Sequence, residues 1–153
     1  MIKRSRIKPK APSKHRLIAS RKRFKLSSLS KLKKTLEALQ KQITIKKYGK
    51  DCYTCPQKNL QGANCQLGHV PWPRSILSTA CKFDYRFTRI QCFRCNIFLG
   101  GMGAVAYKNM RQQNIDMDAL WKESETTKGK SVPKQFFIDK ILEYQTLLAS
   151  LTT

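Results

Sequence analysis

Two Cys-x-x-Cys pairs, Cys52 with Cys55 and Cys92 with Cys95, constrain this chain of 153 residues more than any other feature. Four thiolates on two tight knuckles make a tetrahedral site for zinc, and a small domain can fold around such a site with few apolar residues. The alternative, three disulfides among the six cysteines, needs an oxidising compartment and leaves the repeated spacing unexplained. Cys65 and Cys81 lie outside both pairs; they read as small buried apolar residues or as a substitute for a knuckle ligand. The 36 residues between Cys55 and Cys92 exceed what a simple zinc ribbon uses. They leave room for a hairpin, with the second pair opening a helix.

Charge divides the chain unevenly. The formal net charge is +22, and residues 1–50 hold 18 Lys and Arg against one acid, Glu37. So basic a surface attracts polyanions, nucleic acid first and an anionic membrane second. No apolar run is long enough to span a bilayer, and none follows the basic start as a secretory signal requires. An intracellular location is therefore expected. Residues 1–30 mix Pro, Ser and basic residues without apolar periodicity, which predicts a disordered arm. That arm suits DNA binding, and equally a nuclear or organelle address. Within residues 31–50, Leu32, Leu36, Leu39 and Ile43 recur at helical spacing with Lys33, Lys34, Gln40 and Lys41 opposite. The pattern predicts a basic amphipathic helix over 31–46, with Ser30 as its N-cap.

Residues 51–112 form the expected core. Short strands are predicted at 67–70 and 86–90, the first ended by Pro71 and Pro73. The second cysteine pair is expected to enter a helix, which Gly100, Gly101 and Gly103 interrupt before another helix at 105–112. Residues 113–153 form a helical region with helices at 116–123 and 134–150 and a polar loop at 126–132. Phe137, Ile141, Tyr144, Leu148 and Leu151 make one apolar stripe on the last helix, expected to face a core.

Between the knuckles stands Gly68-His69. This layout resembles the small His-Asn-His metal nucleases, built on a ββα-metal core of treble-clef kind. The expected fold class is accordingly α+β: a zinc-stapled ββα-metal core flanked by helices. In such nucleases a hairpin histidine takes a proton from water, and one Mg²⁺ or Mn²⁺ stabilises charge at the phosphorus and on the leaving oxygen. His69 is the candidate general base, since an imidazole pKa of about 6.5 suits that task. Asn96, directly after the last knuckle cysteine, is the candidate ligand of the catalytic ion. Asp84 is the sole acid between Cys52 and Cys95; it reads as a metal ligand or as a hairpin brace paired with Arg86 or Arg89. His15, in the basic arm, is given no catalytic role. Arg74, Lys82, Arg86, Arg89 and Arg94 are candidate phosphate contacts, joined by Lys33 and Lys34 on the helix. Trp72 either stacks on an unpaired base or covers the core.

From Asp51 to Tyr107 the chain resembles the NinG/Rap family of lambdoid phages. The matching elements are Cys-x-x-Cys, Gly68-His69, Phe83-Asp84, Gln91-Cys92-x-x-Cys95-Asn96, Leu99-Gly100-Gly101 and Tyr107. Looser likeness in the flanks extends it to about residues 31–150. The resemblance implies a zinc-containing recombination endonuclease acting on D-loops and four-way junctions, with branched or single-strand-containing DNA as partner and, by analogy, a homodimer. Three departures bear on activity. Phe87 stands where the family carries an Asn that orients the histidine loop, and Met102 replaces another Asn. Gly68 precedes the histidine where many His-Asn-His enzymes place an acidic ligand. The rival readings are a non-catalytic zinc protein that binds nucleic acid, and a homing-type nuclease, for which no base-reading element is evident.

Overall fold

The structure is a computed structural model that describes residues 14–151. The expected disordered arm falls partly on residues 1–13, outside the described residues. The chain divides into two units, Gln40–Pro133 and a second made of Met1–Leu39 with Lys134–Thr153. The sequence-based boundaries cut it differently, placing both final helices in one C-terminal region.

In the terminal unit, α1 (Lys14–Leu26), the first part of α2 (Leu29–Tyr48) and α6 (Lys134–Ser150) are all helical. Residues 14–26 thus correct the expectation of disorder. The α1 sequence has almost no amphipathic pattern, so its order comes from particular contacts. Phe24 is buried, Arg21 pairs with Asp139 at 2.9 Å, and Lys134 Nζ donates to the Lys25 carbonyl at 2.6 Å. The α2 helix begins before the expected cap: the Lys31 N–H donates to the Ser28 hydroxyl at 3.3 Å, so Ser28 rather than Ser30 closes its first turn. On α6, Phe137, Ile138, Ile141 and Tyr144 are buried, while Leu148 and Leu151 stay half-exposed.

In the central unit, β1 (Gln66–His69) and β2 (Thr88–Gln91) form an antiparallel pair that sets Leu67 opposite Ile90, Gly68 opposite Arg89 and His69 opposite Thr88. Two capped turns lie between the strands. Ser78 caps α3 (Thr79–Lys82), and Asp84 caps the single turn Tyr85–Phe87. The second half of α2 covers the hairpin with polar groups. Gln40, expected on the basic face, is buried and donates to the Lys82 carbonyl at 3.3 Å. The Thr44 and Thr88 hydroxyls meet at 2.9 Å. One apolar cluster gathers Val70, Leu77, Cys81, Phe87, Met110 and Met117. A second gathers Leu60, Cys65 and Ile90 with three of the knuckle cysteines.

After Cys92 the chain does not enter an α-helix. It makes one wide π-helical turn, Arg94–Phe98, in which the Leu99 N–H reaches the Arg94 carbonyl at 3.0 Å and the Gly101 N–H reaches the Cys95 carbonyl at 2.8 Å. Gly100, Gly101 and Met102 all take positive φ. The next helix, α4 (Gly103–Gln112), starts only beyond them. Asp116 then caps α5 (Met117–Thr127), which runs into the expected polar loop. No described helix is long and apolar enough to cross a membrane.

Candidate metal centre and hairpin site

The knuckles converge. The Sγ atoms of Cys52, Cys55, Cys92 and Cys95 all lie within 4.8 Å of one another, an arrangement that could hold a metal ion. Three of the four are buried and none is in a disulfide. Cys55 and Cys92 Sγ are 3.8 Å apart, and a tetrahedron with metal–sulfur bonds of about 2.3 Å has edges of about 3.8 Å. The donor set and its spacing therefore fit a tetrahedral ion. No other group of three or more His, Cys, Asp or Glu side chains among the described residues could hold one.

Local hydrogen bonds prepare the sulfurs. The Cys92 N–H points at Cys52 Sγ at 3.3 Å, and the Cys95 N–H points at Cys92 Sγ at 3.4 Å. Burial pushes the Cys52 thiol up, but the N–H groups of Cys92 and Thr54, with the Cys55 and Thr54 side chains, bring it down to about 6. Burial drives Cys95 the other way, to about 12, and the neighbouring Cys92 and Cys55 sulfurs add to the rise. Cys55 is also raised, first by burial. Four thiols in so small a space resist ionising together unless a cation joins them. Cys65 and Cys81 are buried in the apolar clusters and belong to no metal-holding group among the described residues.

The hairpin carries the remaining candidates. His69 ends β1, half-buried, with Nε2 2.9 Å from the Lys82 carbonyl oxygen. A carbonyl only accepts, so Nε2 carries the proton. Asn96 is brought to the preceding residue instead: its Oδ1 lies 3.0 Å from where a Cβ on Gly68 would stand. Successive strand residues face opposite sides, so Asn96 and the His69 ring approach β1 from different sides. Gly68 is required here because Gln91 Oε1 lies only 2.0 Å from the same Cβ position.

No family model, curated protein or solved structure matches this chain.

Gln91 is the residue whose role the sequence did not reveal. Fully buried in β2, it donates through Nε2 to the Thr54 hydroxyl at 3.0 Å and to the Gly101 carbonyl at 2.7 Å. Its Oε1 has no hydrogen-bond partner. One amide thus ties the first knuckle, the second strand and the break before α4. A polar residue next to Cys92, on a strand too short to spare one, was the available signal.

The other candidates divide. Asp84 is nearly buried and braces the hairpin: Oδ1 accepts the Arg86 N–H at 2.8 Å, and Oδ2 accepts Arg86 Nη2 at 2.7 Å. Arg86 also meets Glu123 at 2.7 Å, and these two acids raise its pKa further. Arg89, expected on the phosphate-binding surface, is corrected: it is 1% exposed. Its guanidinium lies 3.8 Å over the Tyr48 ring and donates to the Thr88 carbonyl at 2.8 Å. In the strand register Arg89 stands opposite Gly68, and the rings of Tyr48 and Tyr53 lie against its guanidinium. Trp72 packs against Trp121 at 5.1 Å and Phe87 at 6.2 Å, covering the core. Phe87 is fully buried. Arg74 and Arg94 remain exposed, Lys82 is half-buried, Lys33 lies over the Phe137 ring at 5.6 Å, and Lys34 is exposed.

Proposed function

We propose that this protein is a divalent-metal-dependent endonuclease acting on branched DNA, built on a zinc-stapled hairpin. The observation that supports it most is the end of β1. There a half-buried histidine, His69, closes a strand of the hairpin that leads into the second knuckle, with its Nε2 held by the Lys82 carbonyl. In the proposed chemistry His69 accepts a proton from water at Nδ1, and the Lys82 carbonyl holds the ring in that tautomer. Asn96 offers a hard oxygen of the kind Mg²⁺ and Mn²⁺ prefer, with phosphate oxygens and water completing the shell, as is usual for Mg²⁺. Such an ion, when bound, would stabilise charge on the phosphorus and the leaving oxygen. Zinc suits the four thiolates as a structural ion, and the basic surface suits binding to phosphates without sequence preference.

The test is nicking of a labelled four-way junction and its matched linear duplex, with Mg²⁺ or Mn²⁺, by wild type and His69→Ala. Junction cleavage that is lost in the variant, with zinc and junction binding retained, is the expected result. A second reading, a non-catalytic zinc protein that binds nucleic acid, is favoured by the approach of Asn96 and the His69 ring to β1 from different sides, by Gly68, which offers no ligand, and by the capture of Asp84 by Arg86. Tight junction binding without cleavage under either ion would establish it. The zinc itself is checked by replacing it with Co²⁺, whose sulfur-to-metal absorption reports thiolate ligands.

A further inference from the structure

The wide turn after Cys92 leaves a run of large apolar side chains in water. Phe98 is 75% exposed, Ile97 54%, Leu99 46% and Phe93 42%. The two phenyl rings meet edge to face at 5.5 Å, so they form one surface. Its geometry is built rather than loose: the Phe93 N–H donates to Asn64 Oδ1 at 2.9 Å, Cys92 precedes the turn and Cys95 is buried within it. A π-helical turn at such a place is often functional. Here it directs outward residues that a continued α-helix could bury.

The charge around this surface decides its occupant. No acid occurs between Asp84 and Asp116, and Arg94, in the turn itself, is exposed. A second copy of the same face would bring Arg94 against its like with no acid to answer it. A polyanion with exposed flat apolar faces answers both features, and unpaired nucleobases on a phosphate chain are that chemistry. A fully paired duplex hides its base faces. Trp72, the aromatic residue expected to do this, is spent on Trp121 and Phe87.

We propose that Phe93 and Phe98 form a stacking surface for unpaired bases of single-stranded or branched nucleic acid, with Arg94 on the adjoining phosphates. It rests on the nucleic-acid binding in the proposed function and not on cleavage. The test is fluorescence anisotropy with a single-stranded oligothymidine and a matched duplex, over a salt series and without added Mg²⁺ or Mn²⁺. Wild type is compared with Phe98→Ala, the Phe93→Ala/Phe98→Ala double variant and Phe98→Trp. Stacking on one aromatic ring predicts a loss of about 5- to 150-fold in single-strand affinity for the alanine variants. Duplex affinity and the salt slope should hold, since the phosphate contacts are untouched. Phe98→Trp should bind as wild type does. The most exposed ring can be removed without opening the core, and zinc content with melting temperature checks this.

Unchanged single-strand affinity in the double variant would overturn the assignment while leaving the nuclease proposal standing. So would an equal loss on both substrates. A shift from dimer to monomer in sedimentation, without a change in single-strand affinity, would instead make the face a self-association surface. If wild type binds neither substrate, the nucleic-acid reading fails with it.

Discussion

The two units of this chain reach order by different means. The terminal unit has helices and a stripe of large apolar residues, among them Leu32, Leu36, Phe137, Ile141 and Tyr144, all nearly or fully buried. The central unit has apolar clusters as well, but around the hairpin it adds three buried knuckle cysteines and a half-buried fourth, with Thr44, Thr88, Arg89 and Gln91 buried beside them. Apolar burial stabilises by area and tolerates repacking. A thiol cluster and a buried polar network stabilise only when every partner is in place. The difference teaches where each unit is fragile. One should respond to lost volume, the other to a lost ligand or a lost hydrogen bond.

The largest effect should come from removing the ion. Structural zinc supplies about 10–16 kcal/mol of apparent binding energy in small zinc peptides, which exceeds the net stability of most domains, about 5–15 kcal/mol. Chelation, or Cys92→Ser, should therefore abolish the near-ultraviolet circular dichroism of Trp72 and Trp121, both in the central unit. Wild-type signal surviving complete chelation would erase the contrast between the units. Proton release sharpens the same point. At pH 8 the Cys52 thiol, brought to about 6 despite the opposing effect of burial, is already ionised in the metal-free protein. Cys95, pushed to about 12 by burial and its neighbours, still carries its proton, as does the raised Cys55. Zinc uptake at pH 8 should thus expel at least these two protons, and affinity should rise with pH. Titration in buffers of different ionisation enthalpy measures the release; an uptake with none would mean the thiols are not the ligands.

Next in size is Ile141→Ala. Truncating a fully buried aliphatic side chain costs about 2–5 kcal/mol through lost burial and the cavity left behind. Zinc content should stay at the wild-type value, because no knuckle is touched. Loss of zinc from this variant would join the two units energetically and blunt the contrast.

The same division explains what the sequence made legible. Cysteine spacing and helical periodicity are local signals, and they anticipated the thiol cluster, both strands within two residues, and the α6 stripe. Order that depends on contacts distant in sequence was invisible. The α1 helix has no stripe and is held by Asp139 and Lys134, more than a hundred positions away. Gln40 reads as a surface residue until the Lys82 carbonyl arrives to meet it. Arg89 reads as a phosphate contact until Tyr48 lies beneath its guanidinium. At the candidate site, His69 and Asn96 were picked by position, but their approach to β1 from different sides follows from strand alternation and the close contact at Gly68.

Gly68→Ala tests that contact. The new methyl would stand 2.0 Å from Gln91 Oε1 and 2.8 Å from its Cδ. Gln91 cannot swing aside without breaking its bonds to Thr54 and Gly101. Overpacking of this kind costs about 1–3 kcal/mol, read as a lower melting temperature. A neutral Gly68→Ala would mean that the Gln91 network is dispensable.

The smallest effects should come from the ion pairs, and the two units should differ even there. Arg21 and Asp139 are bonded at 2.9 Å, but their side chains are 57% and 47% exposed. Solvent screening and side-chain entropy leave such a pair about 0.2–1 kcal/mol. Asp84, with only 10% of its side chain exposed, accepts from both the backbone and the guanidinium of Arg86. Removing it strips a turn of its cap as well as its charge partner, a loss of about 1–2 kcal/mol. Asp84→Ala should therefore lower the melting temperature more than Arg21→Ala, and high salt should narrow the gap little, since a backbone cap is screened less than an exposed pair. If the two variants melt alike, Asp84 contributes no more than a surface charge, and its tie to Arg86 no longer argues against release to a metal ion.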